Sequence, residues 1–121
     1  MAYKDFTEMP VWQKALKLLL EVYRIKSDFP PEEKFGMTSD LRRSANSVVH
    51  NIAEGFGRYE KLDKTRFYKI SRGSSYEAIS QTLASYELGF IKNNEDKIIL
   101  ASGYREVIEE LDSLIKSIET G

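Results

Sequence analysis

The chain of 121 residues carries 18 lysines and arginines against 19 aspartates and glutamates, one histidine and no cysteine, for a formal net charge of −1. A chain of this length suits one domain around one core, and the absence of cysteine excludes disulfides, thiolate metal sites and cysteine nucleophiles. No apolar run approaches the roughly 20 residues that cross a bilayer, and MAYKDFTEMP at the start lacks the basic and apolar regions of a signal peptide, so a cytoplasmic protein with no membrane partner is expected.

The first helical pattern runs from about Pro10 to Asp28, with Val11, Ala15, Leu18, Val22 and Ile25 on one stripe and Trp12, Leu16, Leu19 and Tyr23 on the next. Pro10 suits a first turn, and Pro30 with Pro31 stops the helix. The connection through Phe29 and Phe35 to Met37 carries large apolar residues and is expected to pack over the end of the fold. Thr38 or Ser39 can cap the second helix, which should end near Gly55 or Gly57 through a left-handed glycine. On its wheel Leu41, Ala45, Val48, Val49, Ile52, Ala53 and Phe56 share an arc, and Arg42 falls inside it between Val49 and Ala53.

The third helix runs from about Asp63 to Leu88 with Gly89 as terminator, and the fourth from about Glu95 to Ile118 with Asn93 or Asn94 as cap. Leu100, Tyr104, Val107, Leu111, Leu114 and Ile118 form the stripe of the fourth. Short loops between the last three helices favour antiparallel neighbours. The expected fold is therefore all-α: an up-down-up-down antiparallel four-helix bundle forming a single domain over 1–121.

A turn centred near Arg58 to Lys61 brings Glu77 level with Arg42, so the two are a candidate structural ion pair. The alternative is that Arg42 reaches water along its methylene stem. Helix three has a second peculiarity. Phe67, Ile70, Ser74, Ala78, Gln81, Ser85 and Leu88 make one face, while Tyr76, Ile79, Leu83, Tyr86 and Phe90 form another apolar stripe. Either the bundle buries both, or Tyr76, Ile79, Leu83, Tyr86 and Phe90 meet a second copy of the chain in a homo-oligomer.

Catalytic chemistry finds little support. His50 shares a polar face with Arg43, Ser47 and Glu54. No Glu-x-x-His pair marks a di-iron bundle, and the glycines around Phe56 follow a helix instead of a strand, so they are no phosphate loop. No catalytic residue, metal or cofactor is expected. An enzyme whose site joins Arg43, His50 and Glu54 across subunits is the contrasting class.

Charge is distributed unevenly. Arg42 to Arg72 holds eight basic and three acidic residues, whereas Gly73 to Gly121 holds four basic and nine acidic ones. Arg58, Lys61, Lys64, Arg66, Lys69 and Arg72, with Tyr59 and Tyr68 nearby to stack on bases, are candidate contacts to RNA or DNA. Against that, antiparallel register sets Arg72 level with Asp112 and Arg66 with Glu119, so acidic residues of the fourth helix can neutralise the strip. A pI near 5.9 points the same way.

Six ordered pieces, VWQKA (Val11 to Ala15), FG (Phe35, Gly36), LRR (Leu41 to Arg43), NIAEGFGR (Asn51 to Arg58), RGS with Glu77 (Arg72 to Ser74) and LGF (Leu88 to Phe90), span about Phe6 to Ile118. Together they resemble the four-helix-bundle family of proteins encoded by intervening sequences in bacterial 23S rRNA genes. The chain is also similar to the accessory protein of diversity-generating retroelements, a pentameric bundle that works with a reverse transcriptase and nucleic acid. The resemblance implies a compact bundle, a homo-oligomeric ring with a pentamer favoured, and RNA, DNA or a nucleic-acid enzyme as partner. It supplies no catalytic residues. Val49 stands where many relatives have proline, which removes the reason for a kink in the second helix. The expected function is a non-enzymatic, oligomeric interaction protein; a protein-binding scaffold without nucleic acid is the alternative.

Overall fold

Pro10 opens helix α1, Pro10–Ile25, at a position where its missing N–H has no helical partner to lose. The computed structural model describes residues 3–121; in it a 3-10 turn, Phe6–Glu8, leads into α1. The helix ends earlier than its pattern suggested, because Lys26–Asp28 tighten into a 3-10 turn. Phe29, which precedes a proline and is thereby steered from helical backbone, is extended with φ −69° and ψ 150°.

Helix α2 covers Met37–Phe56 without interruption through Val49. Neither Thr38 nor Ser39 caps it. The carboxylate of Glu33, in the 3-10 turn Pro31–Glu33, accepts the N–H of Met37 at 3.0 Å and places negative charge at the positive end of the helix. Gly57 closes α2 with φ −77°, so no left-handed turn is needed there. Gly55 serves a different purpose, close approach: a Cβ would sit 2.7 Å from the Tyr68 ring and 3.0 Å from the Lys64 carbonyl oxygen.

Helices α3, Lys61–Glu87, and α4, Asn94–Thr120, are the long members, each of 27 residues and about 40 Å in length. Gly89, at φ 84°, ends α3 as expected. Its N–H bonds the Tyr86 carbonyl at 3.0 Å while that of Phe90 returns to Ser85 at 2.8 Å, which satisfies carbonyls the helix would leave open. The Asn93 side chain caps α4 by accepting from the N–H of Asp96 at 2.8 Å.

The helices form an antiparallel four-helix bundle in which each packs against its sequence neighbours and α1 closes against α4. No strand occurs among the described residues. Ala15 and Val22 of α1, Leu41, Ala45, Val48 and Ile52 of α2, Ala78 of α3, and Leu100, Tyr104, Val107 and Leu111 of α4 are wholly buried. Phe29 covers one end of this core with its ring centroid 5.7 Å from that of Phe90. Phe35 departs from expectation and stands 89 % exposed.

Candidate interaction surfaces

The face that α3 turns to the bundle lies between the two faces of its sequence pattern, taking Ala78 and Ser85 from one and Ile79 from the other. Its buried residues are Thr65, Tyr68, Ser71, Ser75, Ala78, Ile79, Thr82 and Ser85. Hydroxyls enter a core when they find acceptors. Ser75 and Thr82 donate to carbonyls one turn back, at 2.9 and 2.7 Å, and Ser71 donates across the seam to the Val48 carbonyl at 2.8 Å. At the edge of the same seam the Ser47 and Ser74 hydroxyls share a 2.7 Å bond, and Asn51 donates to Ser47 at 3.0 Å.

This rotation divides the stripe proposed as an oligomer interface. Ile79 belongs to the protein's own core, and Tyr86 and Phe90 pack partly against it. Tyr76 and Leu83 remain outside, 47 % and 39 % exposed, joined by Ile70 at 41 %. Gly73 lies between them with open space where a Cβ would stand.

Arg42 and Glu77 are both exposed, and no ion pair joins them among the described residues. Their expected level is consistent with the observed register, since the Ser71–Val48 bond links residues equally displaced about the same turn. The rotational placement is what differs. The buried arc of α2 includes Ser44 and Gly55, which lie on the side away from Arg42 and shift its centre, so Arg42 sits at the edge of the arc.

Most of the basic strip is committed within the chain. Arg58 holds Glu54 at 2.7 Å and Asp63 at 3.6 Å, Arg66 holds Asp63 at 2.9 Å, and both guanidinium groups lie within 5 Å of the Phe67 ring centroid, at 4.6 and 4.3 Å. Arg72 pairs with Asp112, the residue that register set opposite it, and this hydrogen bond raises the Arg72 pKa. Glu119 is taken by Lys69 at 2.6 Å and not by Arg66; that bond, with a second from Thr65, lowers the Glu119 pKa. Lys64 donates to the Phe56 carbonyl at 2.7 Å, closing the C-terminus of α2 where a cation is favoured. Lys61 is exposed beside Tyr59, which is 98 % exposed at the tip of the α2–α3 loop.

His50 is exposed and shares an open cleft with Ala53, Glu54, Gly57 and Arg58. Arg43 does not line that cleft and instead pairs with Asp40 on its own helix. No group of three or more His, Asp or Glu suited to a metal ion occurs among the described residues. Two buried phenols are perturbed by desolvation: the Tyr68 pKa is pushed up to about 12 and that of Tyr104, whose hydroxyl has no hydrogen-bond partner, is pushed higher.

One cluster escaped the sequence reading. Tyr23 of α1 has the Lys26 ammonium 5.3 Å and the Arg42 guanidinium 5.9 Å from its ring centroid, and its hydroxyl accepts from Asn46 at 3.2 Å. The Tyr23–Lys26 spacing was visible as a helical neighbour pair. The approach of Arg42 and Asn46 was not, because it depends on the α1–α2 register across a long connection.

The architecture defines the class: an antiparallel four-helix bundle. The sequence matches the family model described as 23S rRNA-intervening sequence protein over residues 7–118, and the chain belongs to that family. It is similar in structure to a protein of unknown function from the S23 ribosomal protein family of Bacteroides thetaiotaomicron, with a TM-score of 0.80 and 21 % identity, covering 88 % of this chain and 98 % of the other. At that identity the likeness establishes a shared fold. No match was found among curated proteins.

Proposed function

We propose that this protein is a self-associating, non-enzymatic interaction module that presents the outer face of α3 to a second copy of itself. The observation that carries this reading is the reversal within α3, which buries Ser71, Ser75 and Thr82 while Ile70, Tyr76 and Leu83 remain substantially exposed. Ile70 on one side of Gly73, and Tyr76 with Leu83 on the other, gain from a partner that removes them from water, and the open space at Gly73 permits close backbone approach. Five copies is the closure that the family resemblance implies.

Nucleic acid is a weaker reading for the Arg58–Arg72 strip. A phosphate would have to displace carboxylates from Arg58, Arg66, Lys69 and Arg72, and Lys64 from a helix end. The protein-binding scaffold is therefore favoured over phosphate binding on that strip.

Light scattering coupled to gel filtration tests self-association. The expected result is an oligomer at micromolar protein, converted to monomer by Tyr76→Glu with Leu83→Glu while helical circular dichroism persists. A wild-type monomer, or an oligomer indifferent to both changes, would overturn the proposed face.

A further inference from the structure

Five of the seven arginines, Arg24, Arg43, Arg58, Arg66 and Arg72, hold a carboxylate. Arg42 does not. The Tyr23 ring that it approaches is also approached by Lys26, so two cations with no ion-pair partner among the described residues share one ring at 5.9 and 5.3 Å. Attraction to the ring face partly offsets their mutual repulsion, and an anion between them would remove it.

Two neighbouring carboxylates, Glu21 and Asp40, are occupied. Glu21 is held by Arg24 at 2.7 Å, and Arg24 also takes Asp96 at 2.8 Å. Asp40 is held by Arg43. Asp28, exposed in the 3-10 turn that follows α1, makes no ion pair with Lys26. The Asn46 amide N–H groups and the Tyr23 hydroxyl supply donors. Asn46 spends its amide N–H groups on the Arg42 carbonyl, at 2.9 Å, and on the Tyr23 oxygen. Because the Tyr23 oxygen accepts that bond, its own O–H is left to donate outward.

We propose that Tyr23, Lys26 and Arg42, with Asn46 fixing the phenol, form an oxyanion site that takes a phosphate group, either free or carried on a nucleotide. A planar guanidinium, an ammonium and a hydroxyl are the side-chain groups that most often hold phosphate oxygens. The site lies on one chain, at the α1–α2 seam, and is independent of the proposed self-association. It is also distinct from the strip between Arg58 and Arg72, most of whose charges are spent internally.

Titration of the 15N-labelled protein with inorganic pyrophosphate at constant ionic strength is the direct test. Saturable shifts at Tyr23, Lys26, Arg42 and Asn46 are expected, with affinity reduced about tenfold by Arg42→Gln and also reduced by Lys26→Gln, while Lys61→Gln changes nothing. Tyr23→Phe keeps the ring and removes the O–H, so it should weaken binding without releasing the cations. A second titration with a short single-stranded oligoribonucleotide separates the sources. Variant-sensitive binding of both probes places the phosphate on a strand, whereas binding of pyrophosphate alone identifies a free phosphate ligand. No saturable shift with pyrophosphate, or losses as large in Lys61→Gln as in Arg42→Gln, would overturn the site. Circular dichroism and gel filtration of each variant keep a folding or assembly defect from being read as lost binding.

Discussion

Helices α3 and α4 have the same length, lie antiparallel and face the same core, yet they partition their residues in opposite ways. α4 buries Leu100, Tyr104, Val107 and Leu111 of its apolar stripe together with Ile108 and Ile115, while Leu114 and Ile118 of that stripe are only partly buried. α3 buries five serines and threonines, Thr65, Ser71, Ser75, Thr82 and Ser85, and leaves Ile70, Tyr76 and Leu83 substantially exposed. Bulk fills most of the space beside α4, whereas much of the inner face of α3 consists of small hydroxyl side chains, of which Ser71 reaches the Val48 carbonyl of α2 directly at 2.8 Å. Amphipathicity in this bundle is therefore two properties. One is hydropathy, which identifies the inner face of α4; the other is side-chain size, which identifies that of α3.

Substitution should separate the two. Leu111 is wholly buried, so Leu111→Ala should cost about 2–5 kcal/mol in urea unfolding. On α3 the sensitivity runs the other way. Ser75→Leu should cost about 1–3 kcal/mol by overpacking, and Ser71→Ala about 1 kcal/mol for its lost bond to Val48. Ser75→Ala should be nearly neutral, because its hydroxyl bonds only within its own helix and alanine favours helix. If Ser75→Leu is tolerated as well as Ser75→Ala, the close-packing account of α3 fails.

The contrast sharpens at high pH. Tyr104 is a buried phenol of α4 whose hydroxyl finds no partner, and burial raises its pKa above the ordinary 10.0; Tyr68 of α3 is raised to about 12. A folded pKa above the unfolded one means that the neutral phenol belongs to the fold. This contribution is fully present below pH 10 and is lost as pH rises from the unfolded value through the folded one, by up to about 1.4 kcal/mol per pH unit for each group. Tyr104→Phe should flatten the alkaline decline and, by removing an unpartnered hydroxyl, should gain about 1 kcal/mol at neutral pH. An unchanged alkaline slope would show that Tyr104 does not carry this linkage.

The same two properties explain what the sequence allowed to be read. Helix existence followed from periodicity. The α3–α4 level followed from antiparallel arithmetic and is seen in the Arg72–Asp112 pair. The rotation of α3 was hidden because hydropathy scores serine and threonine as polar, although bonds such as Thr82 to the Ala78 carbonyl let Thr65, Ser71, Ser75 and Thr82 enter the core. In the strip, Lys69 and not Arg66 takes Glu119, and Arg58 and Arg66 find local partners. Arg66 and Asp63 sit three apart on one helix, Arg58 and Glu54 four apart on the approach to the loop, and both pairs form. These local partners were visible as spacings, whereas the Lys64 cap on α2 depends on three-dimensional placement.

Arg42 and Glu77 give the smallest expected effect and the clearest check on the rotation of α2 and α3. Were they paired and buried, removing Glu77 alone would strand a cation and cost about 3–5 kcal/mol, and the double change would recover much of the loss. Both are exposed, with Arg42 directed instead to within 5.9 Å of the Tyr23 ring centroid. Glu77→Ala and Arg42→Gln should therefore each shift unfolding by no more than about 0.5 kcal/mol, and the double variant should equal their sum. A coupling above about 1 kcal/mol, measured under conditions that preserve the assembly, would mean that the two residues meet after all and that α2 and α3 are rotated toward each other. Additive, near-zero losses would leave Arg42 free of a structural duty in that seam, so that a loss of phosphate binding in Arg42→Gln reports on the oxyanion site and not on stability.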